Sequence, residues 1–488
     1  MNPSDMRAGV QALLSDADEG CRLIVTDRYP PNSHGGAELS LHILLKALTD
    51  SGSIRVFTQN EHITTPNRYE IDGIQVIEVP VSAPWPFHAL SAPEFNALQT
   101  RPRLARMWSK VGHLLNYAVR GDFKHLGTRF QLLLRRFTRI ENYEGVIDFD
   151  QIDTSNTSRL LKSVIGRLKP KLVHADNYRS MLRADAVAGR DRDFTLVGLV
   201  RDNRFFCADR SQSMNINGQV CTSCAFECRQ ENPFLVSLMR RNRSYRQSVL
   251  NRLDRVIVTS RFLEDQIHAV APGAAIRRLP NPAESVDEID GYMMGVAEDP
   301  GLNVLVVGML NENKGQVPLV RGLSKLVERV PQVKVYFAGR GDRIEKRLHE
   351  LATESGLGEH IQTLGYLDRE ALYQWMKRCQ IIALPTVWPE PFGRVPLEAG
   401  LASRPVIAYS IAGLKETVQH ENTGLLVPHN DIDAFVDALV ELARDPAKRR
   451  EYGSNGRQQV IREFGVTEIR EGLRKIWLDA DDRDPPLQ

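Results

Sequence analysis

Short runs of β-branched and aliphatic residues alternate along the chain with longer stretches whose apolar positions recur every three or four residues. That alternation predicts strands followed by helices, the pattern of parallel α/β domains. The first run, Cys21 to Thr26, is followed by a loop with two prolines and two glycines and then by the helical pattern AELSLHILLKAL. Later runs at Arg55 to Thr58, Gln75 to Val79, Lys171 to His174, Thr195 to Val200 and Arg255 to Thr259 would complete one sheet. A second series starts at Asn303 (NVLVVG) and continues at Val333, Ile361, Gln380, Pro405 and Gly424, with helical patterns such as AFVDALVELARD between.

Residues 283–301 are acidic, glycine-containing and aperiodic, and read as a linker. The expected organisation is a first domain over 1–282, the linker, a second domain over 302–470, and a helix or tail over 471–488 that could pack back on the first domain. Two doubly wound sheets then face a cleft, and such sheets bind ligands beyond the C-terminal ends of their strands. The alternation breaks between about 81 and 150, where a Pro/aromatic loop leads into helical pattern; this reads as a helical insertion in the first domain.

The length of 488 residues fits two large domains better than one, and 42% hydrophobic with 25% charged residues is ordinary for a globular chain. A formal net charge of +2 speaks against a dedicated nucleic-acid binder. No apolar run is long enough to span a bilayer, and the N-terminus lacks the layout of a signal peptide, so a cytoplasmic location is expected.

The densest chemistry lies in LPTVWPEPFGRVPLEAGLASRPVIAYSIAGLKETVQHENTGLLVPHN, from Leu384. Glu390 sits in the loop after a strand. Pro391, Phe392, Gly393, Arg394 and Val395 lead into a helix carrying Glu398. Backbone amides at a helix start suit hydroxyls or anions, and Glu398 is placed to accept from a vicinal diol. In VLVVGMLNENKGQ, from Val304, Lys314 and Gly315 stand at another helix start, where an ammonium suits a diphosphate. A third element, HGGAE, puts Gly35 and Gly36 between strand and helix, where glycine allows close backbone approach to a phosphate. No G-x-G-x-x-G run suggests a nicotinamide or flavin site.

These motifs resemble the large family of retaining GT-B transferases that includes glycogen- and sucrose-synthase-like enzymes, often called family 4 or group 1. The resemblance covers most of the chain apart from the insertion, and implies transfer of a sugar from a nucleotide-diphosphate donor to an acceptor. By it, Glu390 lies beside the transferred sugar, Glu398 holds the ribose hydroxyls, and the amides of Phe392, Gly393 and their neighbours face the sugar. Lys314 would bind the diphosphate, with Gly35 and Gly36 closing over it. Such sites need no divalent metal, and none is expected here.

The sequence departs from the family in three places. Met309 occupies the position of a usual arginine, leaving Arg394 or Arg340 to supply the second cation. In KLVHADNY, His174 keeps the first position of the family's H-x-H stretch, as a catalytic or a buried structural histidine, and Asp176 replaces the second. Arg201-Asp202 stands where His-Asp is common. These departures leave a second reading, a catalytically impaired GT-B scaffold that binds nucleotide or glycan. A phosphorylase would need a cofactor lysine that the sequence does not display.

Two further features follow from composition. Of six cysteines, Cys207, Cys221, Cys224 and Cys228 form C-x13-C-x2-C-x3-C, a candidate structural zinc set, with free thiols or a disulfide pair as alternatives. From Arg101 to Arg139 there are ten Lys/Arg and one acid, Asp122, interleaved with aromatics. Such a helix suits an anionic membrane surface, or it is a solvated insertion with aromatics as core. The first option would put the protein peripherally at the inner membrane face, with a glycan or lipid-linked acceptor in cell-surface polysaccharide or glycolipid assembly.

Overall fold

The computed structural model describes residues 3–14, 19–32, 35–81, 156–189, 191–205 and 244–481. The basic insertion and the four clustered cysteines lie outside these residues. The two other cysteines, Cys21 and Cys379, are buried.

The described chain forms two sheets. The first contains β1 (Arg22–Thr26), β2 (Ile54–Asn60), β3 (Asn67–Ile71), β4 (Ile74–Pro80), β5 (Leu172–Asp176), β6 (Thr195–Val200), β7 (Arg255–Val258) and β8 (Ile276–Arg278). Their order is β3-β4-β2-β1-β5-β6-β7-β8, parallel except for the β3–β4 pair. The second contains β9 (Leu302–Val307), β10 (Val333–Ala338), β11 (Ile361–Gly365), β12 (Ile381–Leu384), β13 (Val406–Tyr409) and β14 (Gly424–Val427). Their order is β11-β10-β9-β12-β13-β14, parallel throughout. Every residue of β5, β6, β12 and β13 is buried, as expected for strands covered by helices on both faces.

The order reverses at β1, which pairs with β2 on one side and β5 on the other, and at β9, between β10 and β12. Those reversals open a crevice at the strand C-termini, so residues just after β1 and β9 are the ones a ligand meets. The glycine loop follows β1, and Lys314 follows β9.

Two details differ from the sequence reading. β3 and β8 carry exposed or half-exposed residues and no apolar run, so nothing in the hydrophobic pattern marks them. The stretch read as an aperiodic linker contains the helix Val286–Met293, whose Ile289 and Met293 are buried in the second core. The last helix, Val466–Asp481, lies against the first sheet: Ile469, Leu473, Ile476 and Trp477 join a cluster with Ile24, Leu44 and Val197. Burying Trp477 there contributes about 2–3 kcal/mol of hydrophobic stabilisation. No helix among the described residues is long and apolar enough to cross a membrane.

Candidate active site between the two sheets

The second-domain half is built from two loops that hydrogen-bond to each other. After β9 the chain turns at Gly308 and reaches a short 3-10 turn, Glu312–Lys314, capped by the Asn311 side chain, which accepts from the Asn313 amide. Gly315 then takes φ +70°, and a Cβ there would lie 1.7 Å from the Pro385 carbonyl oxygen. Only glycine fits that contact, which pins Lys314 against the loop leaving β12. Thr386 Oγ1 and the Val387 amide both donate to the Asn313 carbonyl, at 3.1 and 2.9 Å. The result is that Lys314 Nζ donates to Glu390 Oε2 at 2.6 Å and lies 5.2 Å from the Trp388 ring centroid. Lys314 and Glu390 line one narrow pocket with Val306, Thr386, Gly393 and Arg394.

The Glu390 loop is fixed from both domains. Its carbonyl accepts from the Gly413 amide at 2.9 Å, an approach that any side chain at Gly413 would block. From the first domain, Ser260 Oγ donates to the Pro391 carbonyl at 2.5 Å and Asn203 Nδ2 to the Pro389 carbonyl at 3.3 Å. Gly393 adopts φ +85°. Phe392 turns inward and packs edge-on against Phe464, so only its backbone remains for a ligand. Val395 and Pro396 line the pocket at the start of the helix Val395–Leu401.

Arg394 crosses the cleft. It donates to Ser40 Oγ at 2.7 Å and to the Pro282 carbonyl at 3.1 Å, and pairs with Glu284 at 3.3 Å. Gly36 makes room for it, since a Cβ there would stand 3.0 Å from the Arg394 side chain. Gly35 caps the helix Gly36–Lys46, which carries Ser40. Arg340, the other candidate for the missing cation, instead stacks over Tyr366 at 4.5 Å and does not line the pocket. Met309 itself is 68% exposed.

Glu398 is buried within the same network. Its Oε1 accepts from Arg369 at 3.1 Å and lies 3.5 Å from Arg394 Nε. Arg369 also pairs with Glu284, whose carboxylate accepts from the Tyr373 hydroxyl at 2.7 Å. Burial alone would raise the Glu398 carboxyl, but the two guanidiniums outweigh it and hold the group below its ordinary value. Burial likewise disfavours charge on Arg369, and Glu398 and Glu284 reverse that, raising it. Two cations and two carboxylates thus neutralise one another where the chain crosses between domains.

In the first-domain half, the two candidates on β5 are both buried. His174 lies inside β5, 1% exposed, and its Nδ1 accepts from Trp477 Nε1 at 3.2 Å. Burial, with Arg201 adding, pushes its pKa down to about 3, so the ring is neutral beneath the C-terminal helix. Asp176, at the end of β5, is 2% exposed and accepts from Arg201 Nε at 2.7 Å. Burial raises its carboxyl; Arg201 opposes, and Glu38 and Asp27 add to the rise. Arg201 also hydrogen-bonds Asn281, at the start of the crossover. Two of the three departures from the family pattern, Asp176 and Arg201, therefore touch each other. Arg369, Glu284, Tyr373, Ser260 and Asn203 were not flagged by any motif; charge alone does not mark them, because their roles come from long-range contacts.

Comparison with known proteins places this arrangement. The two facing parallel α/β sheets are the GT-B fold. Residues 297–459, the body of the second domain, match the family model of glycosyl transferases group 1. The chain is 28% identical over 221 residues, 45% of this chain and 55% of the relative, to a phosphatidyl-myo-inositol mannosyltransferase of Mycolicibacterium smegmatis. It is 30% identical over 184 residues, 38% of this chain and 46% of the relative, to an uncharacterized glycosyltransferase of Methanocaldococcus jannaschii. These matches span about half the length of the curated relatives. Sucrose-phosphate synthase from Thermosynechococcus elongatus superposes with a TM-score of 0.66 at 19% identity, over 94% of this chain and 99% of that one.

Proposed function

We propose that the chain is a retaining glycosyltransferase that moves a sugar from a nucleotide-diphosphate donor to an acceptor without a catalytic metal. The observation that carries the reading is the Lys314–Glu390 pair at the pocket between the domains, 2.6 Å apart and held by loops that glycines at 315, 393 and 413 permit. A diphosphate arriving there takes Lys314 as its cation and frees the Glu390 carboxylate to accept from a sugar hydroxyl. Arg394, lining the same pocket, is the candidate second cation in place of the family arginine at Met309.

In the proposed step the anomeric carbon–phosphate oxygen bond breaks as the acceptor oxygen bonds the same carbon from the same face. The acceptor proton passes to the departing phosphate oxygen. The enzyme's main contribution is then charge stabilisation on the leaving diphosphate by Lys314, Arg394 and the amides at Gly35, Gly36 and Gly393. Use of Glu398 for the ribose would require it to share Arg369 with Glu284.

The acceptor is proposed to be a glycan or lipid-linked glycan in cell-surface assembly. The named mannosyltransferase relative, acting on a phosphatidyl-inositol, supports the lipid-linked form. A peripheral membrane contact through residues 101–139 and a zinc held by Cys207, Cys221, Cys224 and Cys228 complete the proposal. Sedimentation with anionic liposomes and a metal assay test these two points.

The experiment for the activity is a panel of nucleotide sugars scored for nucleoside diphosphate release, with Lys314→Ala and Glu390→Ala alongside. Release from one donor, abolished in both variants, supports the enzyme and names its donor. Absence of both release and nucleotide binding favours the scaffold reading, which the Asp176–Arg201 pair and Met309 recommend.

A further inference from the structure

At the other end of the helix Val395–Leu401 from Arg394 lies a second pocket, about 440 Å³, none of whose lining residues lines the cleft. Four cations face it: Lys377, Arg404, Arg450 and Arg457. Two of them have evident structural work. Arg404 donates to the Lys377 carbonyl at 2.5 Å and pairs with Glu298 at 2.7 Å. Arg457 bonds the Leu401 carbonyl and pairs with Asp290 at 2.7 Å. Each thus serves a helix C-terminus, where cations are favourable, and each has its own carboxylate.

Lys377 and Arg450 have neither. Among the described residues no carboxylate or hydrogen-bond acceptor partners either side chain, although Lys377 is half-buried. The cation crowding is felt nearby: Arg449 is held below its ordinary value by burial and also by Arg450 and Arg404, with Glu298 and Asp445 opposing. The remaining lining supplies the Ser403 and Ser454 hydroxyls and the Gln458 amide beside the apolar Ala402 and Ile461, and its one carboxylate, Glu298, is the one that Arg404 pairs with. Two unneutralised cations beside hydroxyl and amide donors match a dianionic phosphate, and the volume leaves room for a small polyol or sugar attached to it.

We propose that this pocket is a binding site for a phosphate monoester, separate from the donor cleft, with Lys377 and Arg450 as its anion-holding residues. The same chemistry would be offered by a soluble sugar phosphate or by a phosphomonoester lipid headgroup. Calorimetry of the full chain with a hexose 6-phosphate and with inorganic phosphate tests the first source. Co-sedimentation with phosphatidylcholine vesicles containing phosphatidic acid tests the second.

Either probe should bind the wild-type chain and the Lys314→Ala variant alike, which separates this pocket from the cleft. Binding should weaken by roughly tenfold or more in Lys377→Ala/Arg450→Ala, since each charge-assisted contact is among the stronger hydrogen bonds. Lys377→Arg should retain it. Because neither side chain has a partner to lose among the described residues, the double variant should melt as the wild type does. Soluble binding lost in the double variant identifies a free phosphate ester, and vesicle binding lost in it identifies a headgroup. Equal binding by wild type and double variant, or no binding to any of the probes up to ~50 mM phosphate, would overturn the proposal.

Discussion

His174 and Asp176 stand two residues apart on one strand and show how environment separates two roles that a motif joins. The Trp477 indole donates to His174 Nδ1, and burial holds the ring neutral, with its pKa near 3 against an ordinary 6.5. A histidine whose folded pKa is depressed binds its proton more readily in the unfolded chain. It therefore lowers stability as pH falls from about 6.5 towards 3, by roughly 1.4 kcal/mol per pH unit, and adds nothing further below that. We expect His174→Gln, which keeps an acceptor for Trp477, to remove this slope when denaturant unfolding is compared at pH 7 and pH 5. An identical pH dependence in the two proteins would contradict the buried neutral assignment. Asp176 differs because Arg201 reaches it. Arg201→Leu leaves a buried carboxylate without its cation, and the expected loss is about 3–5 kcal/mol, read from unfolding midpoints. The sequence displayed both residues as departures at separate positions. That they pair was not visible there, because their contact depends on the β5–β6 register that sets Asp176 beside Leu199.

At the level of elements, strands with continuous apolar runs were legible and half-exposed ones were not. β5, β6, β9, β10, β12 and β13 each bury most or all of their residues, so composition alone marks them. β3 reads NRYEI and β8 reads IRR, edge strands whose pairing is decided by neighbours and not by their own pattern. The loops bearing Glu390 and Lys314 were legible because their glycines and prolines record backbone constraints directly. Gly315 is the sharpest case: φ +70° disfavours any side chain, and the Pro385 carbonyl occupies the place a Cβ would take. Gly315→Ala should cost at least ~2 kcal/mol through strain and displacement of the two loops. It should also weaken nucleotide binding more than its melting temperature suggests, because Lys314 moves with the loop. Calorimetric titration with the donor nucleotide, alongside thermal melts, checks both; unchanged affinity would mean that Lys314 reaches its ligand without this turn.

For the whole molecule, a polar chain through residues 281–284 joins the two domains alongside the Ser260 and Asn203 bonds to the Glu390 loop. Asn281 is bonded by Arg201 of the first domain, the Pro282 carbonyl by Arg394 of the second, and the Ala283 amide donates to the Phe464 carbonyl at 2.7 Å. Glu284 then pairs with Arg369 and Arg394, the same two guanidiniums that hold Glu398. The C-terminal helix adds an apolar strap on the first sheet through Trp477. These contacts differ in what they oppose: the strap resists separation of the chain end, whereas Arg394 spans the cleft itself, from the Glu398 helix to Ser40. Arg394→Leu should therefore leave each domain folded, because Arg369 and Tyr373 still satisfy Glu284 and Arg369 still satisfies Glu398. What it removes is the Arg394–Ser40 bond across the cleft, so the expected outcome is a wider spread of interdomain distances in solution scattering. Unfolding should broaden or split into two transitions, since domains joined by a weakened interface lose two-state behaviour. A single unchanged transition with an unchanged scattering profile would show instead that the crossover, the Trp477 strap and the Ser260 and Asn203 bonds to the Glu390 loop fix the cleft without Arg394. In that case the position of Arg394 beside Lys314 would be explained by ligand charge and not by domain closure.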